Sequence, residues 1–161
     1  MRSTAPTPVV SAELSQFAVS THERRIQGRL PLELRSDSEP RLQDWLKARS
    51  PFPITLPVYR ETLHDDRPYR VEGARLVQLR GKTAALIAYR MEAGPVSLLV
   101  VPDSVAVASG GVEADFKKVN FHYRTIDGYK VVTWSVHGLT YALVSREGMT
   151  RRPRAWCAIR R

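Results

Sequence analysis

Hydrophobic and polar residues between Tyr69 and Ser145 follow the pattern of short β-strands joined by tight turns. The apolar or alternating runs cover residues 73–79, 83–91, 96–101, 119–124, 129–136 and 139–145, and nearly all the turns between them contain glycine. Glycine adopts the positive φ values of such turns without a Cβ clash, and Asp127-Gly128 is a strong hairpin signal. Because connections this short join only antiparallel neighbours, the pattern predicts an antiparallel meander of about six strands.

The last predicted hairpin carries apolar residues on both of its faces. Val132 and Trp134 alternate with Val131 and Thr133 on one strand, and the return strand alternates in the same way. Apolar residues on both faces are typical of a strand that is covered on both sides. We therefore expect this hairpin to be central and at least partly covered on both faces, with two upstream helices packing on one side of the sheet.

Two amphipathic segments upstream predict these helices. The first begins at the N-cap candidate Ser11 and ends near Gln27, because glycine and proline follow. Its apolar stripe has helical spacing and consists of Val10, Leu14, Phe17, Ala18 and Thr21. The second helix begins at Ser38 or Glu39, with proline in its first turn, and ends at Ser50. Its apolar face consists of Leu42, Trp45 and Leu46.

Three other segments are predicted to lie outside the centre of the sheet. Residues 30–35 alternate and predict a short edge strand. Residues 52–59 also alternate, but the prolines at 51, 53 and 57 predict an extended connector along the surface or an edge. Residues 103–118 form the longest gap between predicted strands, and Gly110-Gly111 within it predicts a flexible hinge. The predicted fold class is α+β, with one domain at residues 11–145, a flexible lead-in at 1–10 and a basic, disordered tail at 146–161.

Composition excludes several classes of protein. The chain has 161 residues and one cysteine, which excludes an internal disulfide and a cysteine-rich zinc module. No apolar run approaches the roughly 20 residues of a membrane span. As the chain stands, its first residues also lack the pattern of a signal peptide.

The net charge of +9 is concentrated outside the predicted sheet. Residues 146–161 carry +5 and residues 1–60 carry +3, which leaves +1 for the remainder. Proteins that bind nucleic acids specifically cluster lysine and arginine on the folded surface. We therefore expect no specific nucleic-acid binding. Binding through the arginine-rich tail, the alternative, predicts an affinity that falls steeply with salt.

The histidines and acidic residues form no recognised catalytic or metal-binding motif. No two of the histidines, at 22, 64, 122 and 137, have the spacing of a zinc protease, and no Gly-x-Ser-x-Gly elbow is present. His22-Glu23 could form a proton-transfer or metal pair, but a half-exposed histidine at a helix end is favoured. The His-Asp-Asp stretch at 64–66 could bind a hard cation, although adjacent loop carboxylates commonly bind none. The surrounding arginines could lower the pKa of the Cys157 thiol, but exposure alone would explain its reactivity. We assign no catalytic, cofactor-binding or metal-binding residue.

A series of short segments carries a resemblance to a known family. The segments are His22, Gly-Arg-Leu-Pro at 28–31, Ser-Asp at 36–37, Trp-Leu-Lys at 45–47, Pro-Phe-Pro at 51–53, Val-Glu-Gly-Ala-Arg-Leu at 71–76, Ala-Ala-Leu-Ile-Ala-Tyr at 84–89, Gly-Tyr-Lys-Val-Val-Thr-Trp at 128–134 and Gly-Leu-Thr-Tyr-Ala-Leu-Val-Ser at 138–145. In this order they resemble the outer domain of transmembrane anti-sigma factors over about residues 17–145. In that family a Ser-His helix precedes a Ser-Asp…Trp-Phe segment, a Gly-x-Arg-Leu strand, an Ala-x-x-Tyr strand and a Gly-Tyr-x-Val-x-x-Trp hairpin that closes on Tyr-x-x-x-Ser.

The resemblance implies a function without catalysis. Such proteins hold a sigma factor through a cytoplasmic domain, often zinc-binding, and a membrane helix connects it to the outer domain. This sequence contains neither the zinc-binding motif nor the span, so we expect only the role of the outer domain. That role is a periplasmic or extracytoplasmic sensory or protein-interaction domain that regulates transcription indirectly, with an unspecified protein partner of a signalling pathway and no cofactor.

Two further expectations concern where a site would lie. A recognition surface is expected where residues 103–118 meet residues 52–59, because loops on a rigid sheet carry most binding sites. The alternative function is a small-ligand or enzymatic pocket between the helices and the sheet, using His22, His122 or Asp127. A buried histidine with a perturbed pKa beside a carboxylate in a cleft would favour that alternative.

Overall fold

The structure is a computed structural model that describes residues 11–56 and 69–146. The predicted lead-in, the stretch at 64–66 and the tail with Cys157 lie outside the described residues, apart from Arg146. The helices are α1 (Ser11–Ile26) and α2 (Glu39–Arg49), and the strands are β1 (Leu34–Arg35), β2 (Tyr69–Leu79), β3 (Lys82–Met91), β4 (Gly94–Pro102), β5 (Val112–Phe116), β6 (Val119–Ile126), β7 (Tyr129–Val136) and β8 (Leu139–Arg146). The α+β class is confirmed, and the described residues form eight strands instead of about six.

Local signals at the helix ends agree with the observed bounds. The Ser38 Oγ atom accepts a hydrogen bond from the Arg41 N–H at 3.3 Å, and Pro40 lies in the first turn of α2. This cap satisfies one of the N–H groups that the first turn of a helix leaves unpaired. Neither helix of the described residues is long and apolar enough to cross a membrane.

The strands form one antiparallel sheet in the order β1-β2-β3-β4-β8-β7-β6-β5. Strands β2 to β4 and β5 to β8 are two meanders, and the pairing of Leu99 with Ala142 lies in the β4–β8 ladder that joins them. The prediction of a single neighbour-to-neighbour meander is therefore wrong at this junction. Residues 103–111 are not a tight turn, so they do not hold β5 beside β4; instead the chain crosses to the far edge of the sheet.

The two helices pack on opposite faces of this sheet. Leu14, Ala18 and Val19 of α1 belong to one buried cluster, and Leu42 and Leu46 of α2 belong to the other. Alternate strand residues divide in the same way, with Leu86, Leu99, Val131 and Val144 on the α1 face and Ile87, Leu98, Trp134 and Leu143 on the α2 face. The prediction that both helices cover one side is wrong, while the expectation of a central last hairpin with two covered faces is confirmed.

A β-bulge at Gly73 adapts β2 to its edge neighbour. The register of the β2–β3 ladder shifts between Val71 and Gly73. A Cβ atom on Gly73 would collide with the Leu34 carbonyl oxygen, so glycine allows β1 to approach β2. The predicted edge strand therefore exists, although it is limited to Leu34–Arg35.

The crossover between β4 and β5 is held against the α1 face. The Ala106 carbonyl accepts a hydrogen bond from the buried Thr140 hydroxyl at 2.6 Å, and the Ala108 N–H donates to Ser135 Oγ at 2.9 Å. Gly111 has φ of +66°, and a Cβ atom there would lie 2.5 Å from the Tyr123 carbonyl oxygen. The glycine pair thus forms a close-fitting turn into β5, and the flexible hinge stays a prediction that substitution of Gly111 tests.

Candidate functional site

His22 is buried where α1 meets the sheet. Its side chain continues the stripe of Leu14 and Ala18 by one helical turn, and the residue is 1% exposed. Its Nδ1 atom lies 2.6 Å from Ser97 Oγ on β4, and its ring contacts Tyr129 edge-on at a centroid distance of 5.3 Å. The prediction of a half-exposed histidine is therefore wrong, because position 22 falls on the apolar face of α1.

Arg25 donates two hydrogen bonds beside the His22–Ser97 pair. Its Nε–H donates to Ser97 Oγ at 3.1 Å, and its Nη2 donates to the Val96 carbonyl at 3.2 Å. Since the Ser97 oxygen accepts from Arg25, its own proton is free to be donated to His22 Nδ1. In the arrangement in which Ser97 donates to Nδ1, the His22 proton lies on Nε2.

The surroundings of His22 favour its neutral form. Burial, and after it the positive charge of Arg25, lowers the pKa of His22 from 6.5 to about 4. At neutral pH the imidazole is therefore an uncharged hydrogen-bonding group. With its proton on Nε2, it can donate one further hydrogen bond without adding charge to its surroundings.

A cavity of about 500 Å³ lies beside His22, between the C-terminal half of α1 and one end of the sheet. His22 and Ile26 line it from the helix. Pro95, Arg146 and Tyr129 line it from β4, β8 and β7, which lie side by side, and Tyr129 is the cross-strand partner of Arg146. This volume is within the range of small-molecule sites.

Two opposite charges line the cavity without pairing. Asp127 lies in the β6–β7 turn with φ of +50°, and Arg146 ends β8; both residues are exposed. Among residues 11–56 and 69–146, neither side chain makes a hydrogen bond or an ion pair. With His22 neutral, the described lining carries one positive and one negative charge, and no neighbour in the described part of the chain pairs with either.

Ser97 does not face the cavity, although it is bonded to His22. It is 1% exposed and is not part of the cavity lining. A hydroxyl nucleophile must reach the substrate that it attacks. The Ser97 hydroxyl therefore orients the His22 imidazole and does not present a nucleophile to the cavity.

His122, the other histidine considered for a pocket, lies elsewhere. It is 5% exposed, its Nδ1–H donates to the Gly110 carbonyl at 2.8 Å, and the Glu113 carboxylate lies 3.6 Å from the same atom. These contacts hold the turn that leads into β5. The structure therefore brings His22 and Asp127 together in one cavity and leaves His122 out.

The outer edge of β5 is a second candidate site. All five residues of β5 are exposed, and among residues 11–56 and 69–146 the strand pairs with β6 alone. Val112, Ala114 and Phe116 alternate with Glu113 and Asp115, so one face is apolar and the other acidic. Val112 is 72% exposed and Phe116 37%, which places apolar surface next to the free edge.

The predicted meeting of residues 103–118 with residues 52–59 is not seen in the described part of these segments. Ala106 is buried on the α1 face, whereas Ile54 and Leu56 are buried on the α2 face. The Tyr141 hydroxyl donates to the Thr55 carbonyl at 2.6 Å and holds this connector on the α2 face. The sheet lies between the two segments, so they do not form one surface there.

Comparison with known proteins leaves the family open. No model of a known protein family matches the chain, and no curated protein matches it. Among solved structures, a GTP-binding regulator from Thermotoga maritima is similar at 16% identity and a TM-score of 0.43, covering 59% of this chain and 82% of that one.

Within the described residues, no group of three or more histidine, cysteine, aspartate or glutamate side chains could hold a metal ion.

Three residues of the cavity region were not singled out by the sequence. Ser97 interrupts the apolar run of β4, and a hydroxyl within a buried strand is a signal that a partner is present. Arg25 lies three positions after His22, on the same side of the helix. Arg146 gave no signal, because it stands at the junction of the sheet with the arginine-rich tail.

Proposed function

We propose that this chain is a non-enzymatic, extracytoplasmic sensory or protein-interaction domain, similar to the outer domain of membrane anti-sigma factors. It regulates transcription indirectly, through a protein partner of a signalling pathway. The positions of the resembling segments support this proposal: His22 lies on the first helix, and the Gly-Tyr-x-Val-x-x-Trp segment forms the turn before β7 and most of that strand.

The observation that carries the proposal is the open edge of β5. A strand paired on one side presents a row of backbone N–H and C=O groups to any extended chain that approaches it. Partners commonly bind such edges by adding a strand, with main-chain hydrogen bonds for affinity and alternate side chains for specificity. In β5 both features are present, because the edge is open and its side chains alternate in character.

The chemistry of β5 selects a particular partner segment. Glu113 and Asp115 favour lysine or arginine at the facing positions, and Val112, Ala114 and Phe116 favour apolar residues at the others. A second copy of this chain is disfavoured, because antiparallel pairing about Ala114 would place Glu113 opposite Asp115. The proposed partner therefore contributes an extended segment with alternating apolar and basic residues.

A peptide-binding experiment tests this docking surface. The full chain is titrated with an acetylated hexapeptide of alternating valine and lysine, and with the valine–glutamate analogue, while the amide signals of β5 are followed by NMR. The valine–lysine peptide is expected to bind and to shift those signals. The double variant Glu113→Lys with Asp115→Lys is expected to prefer the valine–glutamate peptide.

A matched variant separates docking from net charge. Asp44→Lys with Glu92→Lys changes the charge by the same amount at exposed positions outside β5, so it is expected to keep the preference of the unmodified chain. A reversed preference in this control, or peptide binding without shifts in β5, would show that the edge is not the docking surface.

A second candidate function is binding of a small ligand in the cavity beside His22. A buried histidine with a lowered pKa, beside the Asp127 carboxylate in a cavity of about 500 Å³, is the observation that favours it. This candidate is compatible with the first, since a sensory domain requires a site for its signal. The cavity and β5 share no residue.

A further inference from the structure

We propose that the cavity beside His22 binds a zwitterionic small molecule, an α-amino acid with an apolar side chain. This inference rests on the second candidate function, ligand binding in the cavity, and is independent of docking at β5. It concerns the chemical class of the ligand, which the arrangement of charged and apolar groups in the lining restricts.

The charges of the lining match those of an amino acid. Arg146 offers a planar guanidinium for a carboxylate, and Asp127 offers a carboxylate for an ammonium group. Neither is paired within the described part of the chain, so each is available to a ligand. A ligand with a single charge would leave one of the two lining charges without a counter-charge, whereas a zwitterion satisfies both.

The remaining lining matches the rest of such a molecule. Ile26, Ala93 and Pro95 are apolar, and the ring of Tyr129 adds an aromatic surface. The neutral imidazole of His22 offers one more hydrogen bond, and it does so without disturbing the balance of one positive and one negative charge. An apolar side chain of the ligand would therefore contact apolar groups while its two charges face Arg146 and Asp127.

A panel of three related compounds tests the ligand class. The full chain is titrated with L-leucine, N-acetyl-L-leucine, which lacks the ammonium charge, and L-leucinamide, which lacks the carboxylate. Binding is followed through the amide signals of Gly128 and Tyr129. Leucine is expected to bind with a Kd below about 1 mM. Each capped compound is expected to bind about fivefold more weakly, the loss that corresponds to one ion pair of about 1 kcal/mol.

Two variants assign each charge to its partner. Asp127→Asn is expected to bind leucine and N-acetyl-leucine equally, because the carboxylate that distinguishes them is absent. Arg146→Gln is expected to bind leucine and leucinamide equally for the corresponding reason. Asp103→Asn and Arg70→Gln alter exposed residues of the same types outside the cavity, and they are expected to retain both preferences.

The outcomes separate the ligand class from the existence of a site. If a capped compound binds at Gly128 and Tyr129 as tightly as leucine does, the cavity is a ligand site but the zwitterion assignment is wrong. If leucine and both capped compounds all fail to shift these signals, both the assignment and the second candidate function are overturned. The assignment would also be overturned if Asp127→Asn still preferred leucine to N-acetyl-leucine and Arg146→Gln still preferred leucine to leucinamide.

Discussion

The His22 imidazole and the Ser97 hydroxyl meet at 2.6 Å and join the first helix to a central strand of the sheet. Both residues are 1% exposed. A titratable ring in such a position couples folding to pH, because the folded protein disfavours the charged imidazolium and the unfolded chain does not.

Stability is expected to fall as the pH is lowered from about 6.5 towards 4. The pKa of His22 is lowered from 6.5 to about 4 in the folded protein, so within this window the unfolded chain binds more protons than the folded one. The free energy of unfolding therefore decreases, by about 3 kcal/mol over the full window at roughly 1.4 kcal/mol per pKa unit. Urea unfolding at a series of pH values measures this slope.

The contribution of His22 is isolated by substitution. His22→Gln is expected to lose most of the slope between pH 6.5 and 5, where few carboxylates titrate. His137→Asn, at an exposed turn position with φ of +52° that asparagine tolerates, is expected to keep it. Equal slopes in His22→Gln and the unmodified chain would contradict the assignment to His22.

The two faces of the sheet are expected to respond independently to core mutations. Val19→Ala on the α1 face is expected to reduce the free energy of unfolding by about 2 kcal/mol, and Leu46→Ala on the α2 face by about 2–5 kcal/mol. Because the sheet separates their clusters, the double variant should show the sum within about 0.5 kcal/mol. Val19 and Val144 belong to one cluster, so the loss of stability in the Val19→Ala, Val144→Ala double variant should differ more from the sum of the two single losses. Strong coupling across the sheet, measured by urea unfolding, would contradict independent packing of α1 and α2.

Features set by neighbouring residues were predictable from the sequence, and features set by distant contacts were not. Asp127-Gly128 identifies its hairpin by itself, and Ser38 identifies the start of α2. By contrast, each helix has one apolar face that fits either side of a sheet with two apolar faces, so the choice of side is not encoded locally. The β4–β8 ladder brings together residues such as Leu99 and Ala142, whose pairing no local pattern indicates.

The same distinction applies to the candidate sites. The spacing of Leu14, Ala18 and His22 would have indicated that His22 is buried, had the stripe been extended by one turn. Its neighbour Ser97 lies 75 positions away, so their contact depends on the completed fold. Strand β5 was missed because its alternation is short and wholly exposed, a pattern that resembles a loop.

Gly111 is expected to tolerate alanine less well than Gly28 does. Both have positive φ, +66° and +77°, so alanine costs about 1–2 kcal/mol of backbone strain at either position. At Gly28 no atom lies within 4 Å of the new Cβ, whereas at Gly111 the Tyr123 carbonyl oxygen lies at 2.5 Å. Gly111→Ala should therefore lower the free energy of unfolding more than Gly28→Ala does. The amide hydrogens of β5 should also exchange faster in Gly111→Ala. Equal losses in the two variants would favour the flexible hinge.

Replacement by valine is expected to destabilise the protein at Thr140 but not at Thr133. Both are fully buried on neighbouring strands, but the Thr140 hydroxyl donates to the Ala106 carbonyl at 2.6 Å, whereas the Thr133 hydroxyl has no partner among the described residues. Thr140→Val leaves a buried carbonyl unpaired and should destabilise the protein by about 1–3 kcal/mol. Thr133→Val removes an unpaired hydroxyl and should be neutral or stabilising.

The two threonine variants also test how β5 is held in place. The Thr140 hydroxyl lies 2.7 Å from Ser135 Oγ, which accepts from the Ala108 N–H, so one network holds the crossover before β5. Thr140→Val is therefore expected to weaken binding of the valine–lysine peptide at β5 as well as stability, while Thr133→Val leaves that binding unchanged. Urea unfolding and the peptide titration measure the two effects. A Thr140→Val variant that loses stability but binds the peptide normally would show that the crossover contributes to the core without positioning the edge strand.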